Sequence, residues 1–350
     1  MVGRVEIAGR LIGPGQRCFV VAEAGVNHDG KLEQACRLVD VAVAARADAV
    51  KFQAFKAERL AASSAPKAGY QVETTGAEES QQAMLRRLEL LEGAHCELRA
   101  YCRSRGILYM CTPFDEGSAD FLAELGVAVF KIPSGEITNL PFLAHIATKA
   151  RPMIVSTGMA SLGEVDTAVS AIEAAGNRQV ILLHCVSSYP ARAEEINLRA
   201  MDTLANAFKL PVGYSDHTLG ISVALAAVAR GACVIEKHFT LDRALPGPDH
   251  RMSLEPDELK ELIQEIRVVE AALGDGRKAP TARERETAAV ARKSLVAARH
   301  ISAGTRLTRD LIAVKRPGTG LAPALLDSVL GRVAARDIPP DSVLGWDMLR

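Results

Sequence analysis

The chain has 350 residues, 48% of them hydrophobic and 24% charged, which supplies a large core and excludes a disordered protein. Its 42 basic and 42 acidic residues cancel, which argues against a nucleic-acid binder, whose phosphate backbone partner calls for a basic excess. No run approaches the ~18 apolar residues of a membrane span, and residues 1–16 lack the apolar segment of a secretory signal, so the expectation is a cytoplasmic protein without membrane contact.

In chain order, short β-branched runs alternate with stretches carrying Leu, Ala and Val at three- and four-residue spacing. Segments 18–25, 49–55, 107–114, 127–134, 152–158, 180–187, 211–216 and 233–239 read as strands, and 31–46, 81–105, 118–125, 140–150 and 164–175 as amphipathic helices. Eight near-continuous apolar strands with helices between them describe a parallel sheet sheathed in helices. They predict a (β/α)8 TIM barrel over residues 1–274 rather than an open doubly wound sheet.

Residues 255–273 carry a Leu/Ile/Val stripe and read as a helix closing that domain. Residues 275–292 are charged and lack large apolar side chains, so they read as an interdomain linker. From residue 293 to 350, short runs punctuated by Gly and Pro predict a compact second domain with a small core. Seven cysteines without CxxC spacing, several of them in apolar runs, are expected as reduced thiols rather than disulfides or a zinc site.

The strand ends carry residues that an apolar core would not choose. They are Glu23 with Asn27 and His28; Lys51 and Gln53; Thr112; Lys131 and Ser134; Ser156; Ser187 and Tyr189; Ser215 and His217; and Glu236 with His238. In a barrel all C-terminal strand ends meet at one mouth, where chemistry sits. Pairs two residues apart, Lys51/Gln53 and Glu236/His238, face the same side of their strands.

A lysine inside an apolar strand is costly unless paired. Lys51 and Lys131 therefore read as cations for an anionic substrate, with a Schiff-base lysine and a salt bridge to Glu23 or Glu136 as the alternatives. His217 and His238 end neighbouring strands and suit a shared divalent ion such as Mn, Fe, Co or Zn, completed by water and substrate. His28 is a candidate substrate or supporting group; His95, His145 and His300 read as surface or helix residues. Glu23 and Glu136 either pair with a strand lysine or transfer protons, and Asp249, in PGPDH, is a substrate contact or a turn former.

The runs VAEAGVNHDG, DAVKFQAF, TPFDEGSADFL, FKIPSGEITN, LLHCVSSYPA, VGYSDHTLG, EKHFTLDRALPGPDH and VKRPGTGL resemble the sialic acid (nonulosonate) synthases, in order and over nearly the whole chain. The resemblance implies a barrel followed by a C-terminal antifreeze-like (SAF, β-clip) domain. It also implies an alkyl/aryl-group transferase that condenses phosphoenolpyruvate (PEP) with an N-acylmannosamine-type aldehyde, releasing phosphate by C–O cleavage. Lys51, Gln53, Thr112, Lys131, Ser134, Ser156 and Ser215 match the family's PEP-binding set, and His217 and His238 its ligands for Mn2+ or Mg2+. Glu23, Phe114, Tyr189 and Asp249 match its sugar or proton-transfer positions, and Glu136 its proposed acid/base. Arg316, in KRPGTG, matches an arginine that reaches the sugar in a partner's barrel, which implies a domain-swapped homodimer.

Two positions depart from the N-acetylneuraminate synthase pattern, Ser187 and Thr74, where Asn is usual. A smaller side chain at 187 leaves room for a C4 substituent, so the expected product is N-acetylneuraminate or N,N'-diacetyllegionaminate. A class I aldolase using Lys131 is the rival reading.

Overall fold

A computed structural model describes residues 3–350 and divides the chain after Gly274. The first unit opens with an antiparallel hairpin, Val5–Ile7 with Arg10–Ile12. Its Val5, Ile7 and Ile12 are buried against Phe19, Met110 and Ile181, at the N-terminal ends of the strands that follow.

Those strands are β1 (Phe19–Gly25), β2 (Ala49–Ala54), β3 (Leu108–Pro113), β4 (Phe130–Ile132), β5 (Met153–Ser156), β6 (Val180–Cys185), β7 (Val212–Asp216) and β8 (Val234–His238). All their ladders are parallel and run β3-β2-β1-β8-β7-β6-β5-β4; the two end strands, β3 and β4, lie against each other, so the sheet closes on itself. This is the expected (β/α)8 barrel. Nearly every strand residue is buried, because helices cover the outside and side chains fill the inside.

The helices obey local rules. α1 (Leu32–Ala44) buries Ala35, Leu38, Val39 and Ala42, the 3–4 spacing of a core-facing stripe. α2 (Glu92–Arg105) and α3 (Glu116–Leu125) both stop at left-handed glycines, Gly106 and Gly126. Asp115 caps α3 by accepting from the Ser118 amide at 3.0 Å. α4 (Leu140–Ala147), α5 (Leu162–Ala174), α6 (Ala200–Phe208), α7 (Ser222–Ala229) and α8 (Pro256–Leu273) complete the shell.

Two expectations need correction. The helix expected over 81–105 is two, Gln81–Leu88 and α2, because the chain is extended at Glu89 and Leu91 and turns Leu90 inward. The strand expected over 127–134 is only Phe130–Ile132, and Ser134–Glu136 is already a 3-10 turn. The β2–α2 connection holds three short helices, Ala57–Leu60, Gly69–Thr75 and Gln81–Leu88.

The second unit runs Asp275–Arg350. The stretch read as a linker contains α9 (Ala282–Ala291), started by a capping box between Thr281 and Glu284. None of its residues is buried, which is why the sequence lacks an apolar stripe there. The strands β9 (Ser294–Ala297) and β10 (Ile312–Lys315) pair antiparallel over a core of Leu295, Ile301, Leu307, Val329, Ile338 and Leu344. All seven cysteines are free. Burial pushes the thiols of Cys102, Cys111 and Cys233 up to about 12, so they are inert packing residues. Among the described residues no helix is long and apolar enough to cross a membrane.

Candidate active site

Strand register places the polar residues at a common depth. Glu23 lies opposite Lys51, Gln53 opposite Thr112, Glu236 opposite Ser215, and His238 opposite Glu23. Because side chains alternate, Phe52 between Lys51 and Gln53 packs outward into the helical shell while its neighbours face the barrel mouth. There they line a cavity of about 700 Å³.

At its centre lies a buried chain of charges. Lys51 Nζ sits 2.6 Å from Glu23 and 3.7 Å from Glu236, and donates to Thr112 Oγ1 at 2.9 Å. Lys131 Nζ is 3.2 Å from Glu236, whose carboxylate also accepts from Ser215 Oγ at 2.9 Å. Two lysines thus face two glutamates, and the salt bridge expected between Lys51 and Glu23 is present. Burial raises Glu23 to about 7, with the neighbouring Glu236 adding to the rise against the pull of Lys51. Glu236 moves the other way, to about 2: burial alone would raise it, but Lys131 and Lys51 outweigh that. Burial also raises Asp249 to about 6. One cavity therefore holds both a firmly ionised carboxylate and two held well above the usual carboxylate range.

Buried polar atoms without hydrogen-bond partners cluster in the same place: Ser156 Oγ, Ser187 Oγ, Glu236 Oε2 and His238 Nδ1. Proteins rarely leave such atoms unpaired, and their convergence on one cavity marks a ligand site. Ser134 Oγ accepts from the Gly158 amide at 3.0 Å. A Cβ at Gly158 would come within 2.3 Å of Ser187 Oγ and 2.7 Å of Ser134 Oγ, so only glycine lets these hydroxyls converge.

His217 and His238 end β7 and β8 with ring centroids 5.7 Å apart. The Nδ1–H of His217 donates to the Val186 carbonyl at 2.8 Å, which leaves its Nε2 as a lone-pair donor. Burial keeps both rings below the usual histidine range, hence neutral. Two neutral imidazoles, one with an unpartnered buried nitrogen, fit a divalent ion. No cluster of three His, Cys, Asp or Glu among the described residues converges for one, so remaining ligands would be water or substrate oxygens.

The cavity gathers Glu23, Lys51, Gln53, Thr112, Phe114, Lys131, Ser134, Ser156, Ser187, Tyr189, Ser215, His217, His238 and Asp249. Within the first unit, one expected residue lies elsewhere. Glu136 is half-buried outside the lining, its Oε2 accepting from Asn139 Nδ2 at 2.7 Å, because the turn after β4 carries it past the mouth. Arg316 is exposed in the second unit, where it follows β10. His28 is buried against Phe52 and its Nδ1 accepts from the Gly30 amide, a structural role. His95 is a buried helix residue bonded to the Tyr109 hydroxyl at 2.8 Å, not a surface one.

Sequence reasoning assigned no site role to Glu236 or Tyr70. The spacing from His238 marked Glu236 as inward-facing; only the register with Ser215 shows that it bridges both lysines. Tyr70, from the Gly69–Thr75 helix, packs against Tyr189 with tilted rings 5.0 Å apart, and the Tyr189 ring lies 4.3 Å from that of His217.

A family model described as NeuB family matches residues 38–278, and an SAF domain model matches residues 292–350. The chain belongs to the NeuB family. An N,N'-diacetyllegionaminic acid synthase of Legionella pneumophila is 47% identical, over 96% of this chain and 95% of its own. Its namesake in Campylobacter jejuni is 47% identical over 94% and 99%. Among solved structures, the N-acetylneuraminic acid (sialic acid) synthetase of Leptospira borgpetersenii superposes with a TM-score of 0.72 at 37% identity, covering 82% of this chain and 95% of that one. The resemblance to the sialic acid synthases and the SAF assignment of the second unit hold, and membership of this family favours the synthase reading over the aldolase one.

Proposed function

We propose that the chain condenses PEP with an N-acylmannosamine-type aldehyde to give a nine-carbon sugar acid and inorganic phosphate, and that its sugar carries two acylamino groups. The observation that carries the chemistry is the single cavity joining two buried lysines, unpaired hydroxyls and a histidine pair. The choice of sugar is supported by the two relatives named N,N'-diacetyllegionaminic acid synthase and by the small Ser187 in the lining.

PEP carries roughly −3 at neutral pH. Lys51 and Lys131 attract it, while Thr112, Ser134, Ser156 and Ser215 offer hydroxyls to its oxygens. Glu236 sets how much of the lysines' charge reaches the ligand, since it pairs with both. The new bond joins C3 of PEP to the aldehyde carbon, whose oxygen takes a proton and becomes a hydroxyl. Water adds its oxygen at C2 and gives up a proton; the C2 hydroxyl then passes its remaining proton to the departing phosphate as the C2–O bond to phosphorus breaks, leaving a C2 carbonyl and inorganic phosphate, which takes the bond's electrons. Glu23 and Asp249, both held above the usual carboxylate range, are the cavity groups suited to carry those protons. His217 and His238 would hold a divalent ion, Mn2+ or Mg2+, which when bound supplies Lewis acidity toward the sugar carbonyl. Preorganised charge in a buried mouth acts most strongly on developing charge.

The reading extends to a homodimer in which Arg316 reaches a partner's sugar. Mixing Arg316→Ala with Lys131→Met tests it: activity regained on mixing supports the exchange, and none opposes it. Seven free thiols support a cytoplasmic setting. The test of the whole reading is PEP with Mn2+ and a panel of mannosamine derivatives, recording phosphate release and product mass. Turnover is expected with the diacetamido sugar above N-acetylmannosamine; no phosphate release with any sugar overturns it.

A further inference from the structure

Behind the two histidines lies a second buried ion pair that faces the helices instead of the cavity. Lys237 and Asp216 are each 1% exposed, and Lys237 Nζ donates to Asp216 Oδ2 at 2.7 Å and to the Thr218 carbonyl. Asp216 Oδ1 in turn accepts from the Thr218 amide at 2.9 Å, the Thr218 hydroxyl at 2.7 Å and the Tyr214 hydroxyl at 3.2 Å. Each member is the neighbour in sequence of a histidine, so alternation points the pair outward and the imidazoles inward.

The backbone explains why anything is needed there. The β7–β8 ladder ends at Lys237↔Asp216, one residue short of His238 and His217. On their other sides both histidines remain tied: the Ala191 amide donates to the His217 carbonyl at 2.9 Å, and the Leu254 amide to the His238 carbonyl at 2.9 Å. Between the two strand ends, no backbone hydrogen bond continues past the ladder among the described residues. The clasp from Lys237 to Asp216 and Thr218 spans that gap. A fully buried ion pair is weak evidence for stability alone, because desolvation offsets its attraction.

We infer that Lys237 and Asp216 are positioning residues that set the spacing of His217 and His238, and so the affinity of the site for a divalent ion. This rests on the reading of the two histidines as metal ligands. The test uses the full chain stripped of divalent ions, with Mn2+ alone as the probe, read by its EPR signal, and Co2+ absorption as a report of coordination geometry. Lys237→Met is expected to weaken Mn2+ binding by about tenfold or more, as loss of a supporting contact does at metal sites, and to alter the Co2+ spectrum. Thr218→Val, which removes one hydroxyl bond to Asp216, is the milder variant and weakens binding about threefold. Asp48→Asn is the control. It removes charge from the group that accepts from Arg267 and the Val20 amide at the opposite end of the barrel, and should lower Tm while leaving Mn2+ affinity within about twofold. Wild-type affinity and spectrum in Lys237→Met, or in Thr218→Val should Lys237→Met not fold, overturn the clasp alone provided His238→Ala has lost Mn2+ binding. Retained binding in His238→Ala overturns the metal reading and the clasp with it.

Discussion

The two ends of the barrel are equally buried and chemically opposite. At the closed end, strand residues such as Phe19, Met110, Ile154 and Ile181 pack with the N-terminal hairpin into an apolar layer. At the mouth, the same strands bury Glu23, Lys51, Lys131 and Glu236 as a coupled chain of charges. Burial of apolar area stabilises. Burial of charge is held against desolvation only by pairing, and breaking such a pair leaves an uncompensated ion. The closed end therefore provides stability, and the mouth is a site whose order depends on its partners.

Substitutions at each end should separate the two. Lys131→Met is expected to cut kcat/KM for PEP by about 10³, in the range of losing a preorganised charge-stabilising group, measured by phosphate release; near wild-type activity would erase the distinction. Ile181→Ala, at a position with no exposure, should cost about 2–5 kcal/mol of stability in urea unfolding while leaving kcat/KM within about threefold. A large kinetic loss there would mean that the ends are not independent.

The helical shell adds a pH signature distinct from both. Burial lowers His95 to about 4 from a free value near 6.5, so the folded state prefers it neutral. Its neutral burial is fully tolerated above pH 6.5, and stability is lost as pH falls from 6.5 towards 4, where the unfolded chain binds the extra proton. The loss is about 3 kcal/mol at most, and His95→Gln should flatten that part of the urea-midpoint profile. An unchanged slope would show that another group titrates there. The smallest effect concerns the sugar. Ser187→Asn is expected to shift the kcat/KM ratio of diacetamido sugar to N-acetylmannosamine by about tenfold toward the latter, and an unchanged ratio would remove Ser187 from specificity.

The barrel was legible because eight apolar runs ended in polar residues, a pattern that only convergence on a mouth explains, and Lys51, Lys131, His217 and His238 were legible for the same reason. What escaped depends on contacts distant in sequence. Glu236 gains its importance from two lysines on other strands. The clasp of Lys237 looks, in sequence, like one more polar strand residue, and only the end of the β7–β8 ladder shows what it spans. Glu136 differs in the opposite way: the turn after β4 places its carboxylate on Asn139, outside the cavity lining. The helix Ala282–Ala291 was hidden because it buries nothing and is started by its cap.

The most direct measurement follows the bridging oxygen of PEP. With 18O placed between C2 and phosphorus, and with the diacetamido sugar and Mn2+ supplied, the account predicts that the label appears in inorganic phosphate, because the C2–O bond breaks. Label retained in the nine-carbon acid would contradict it.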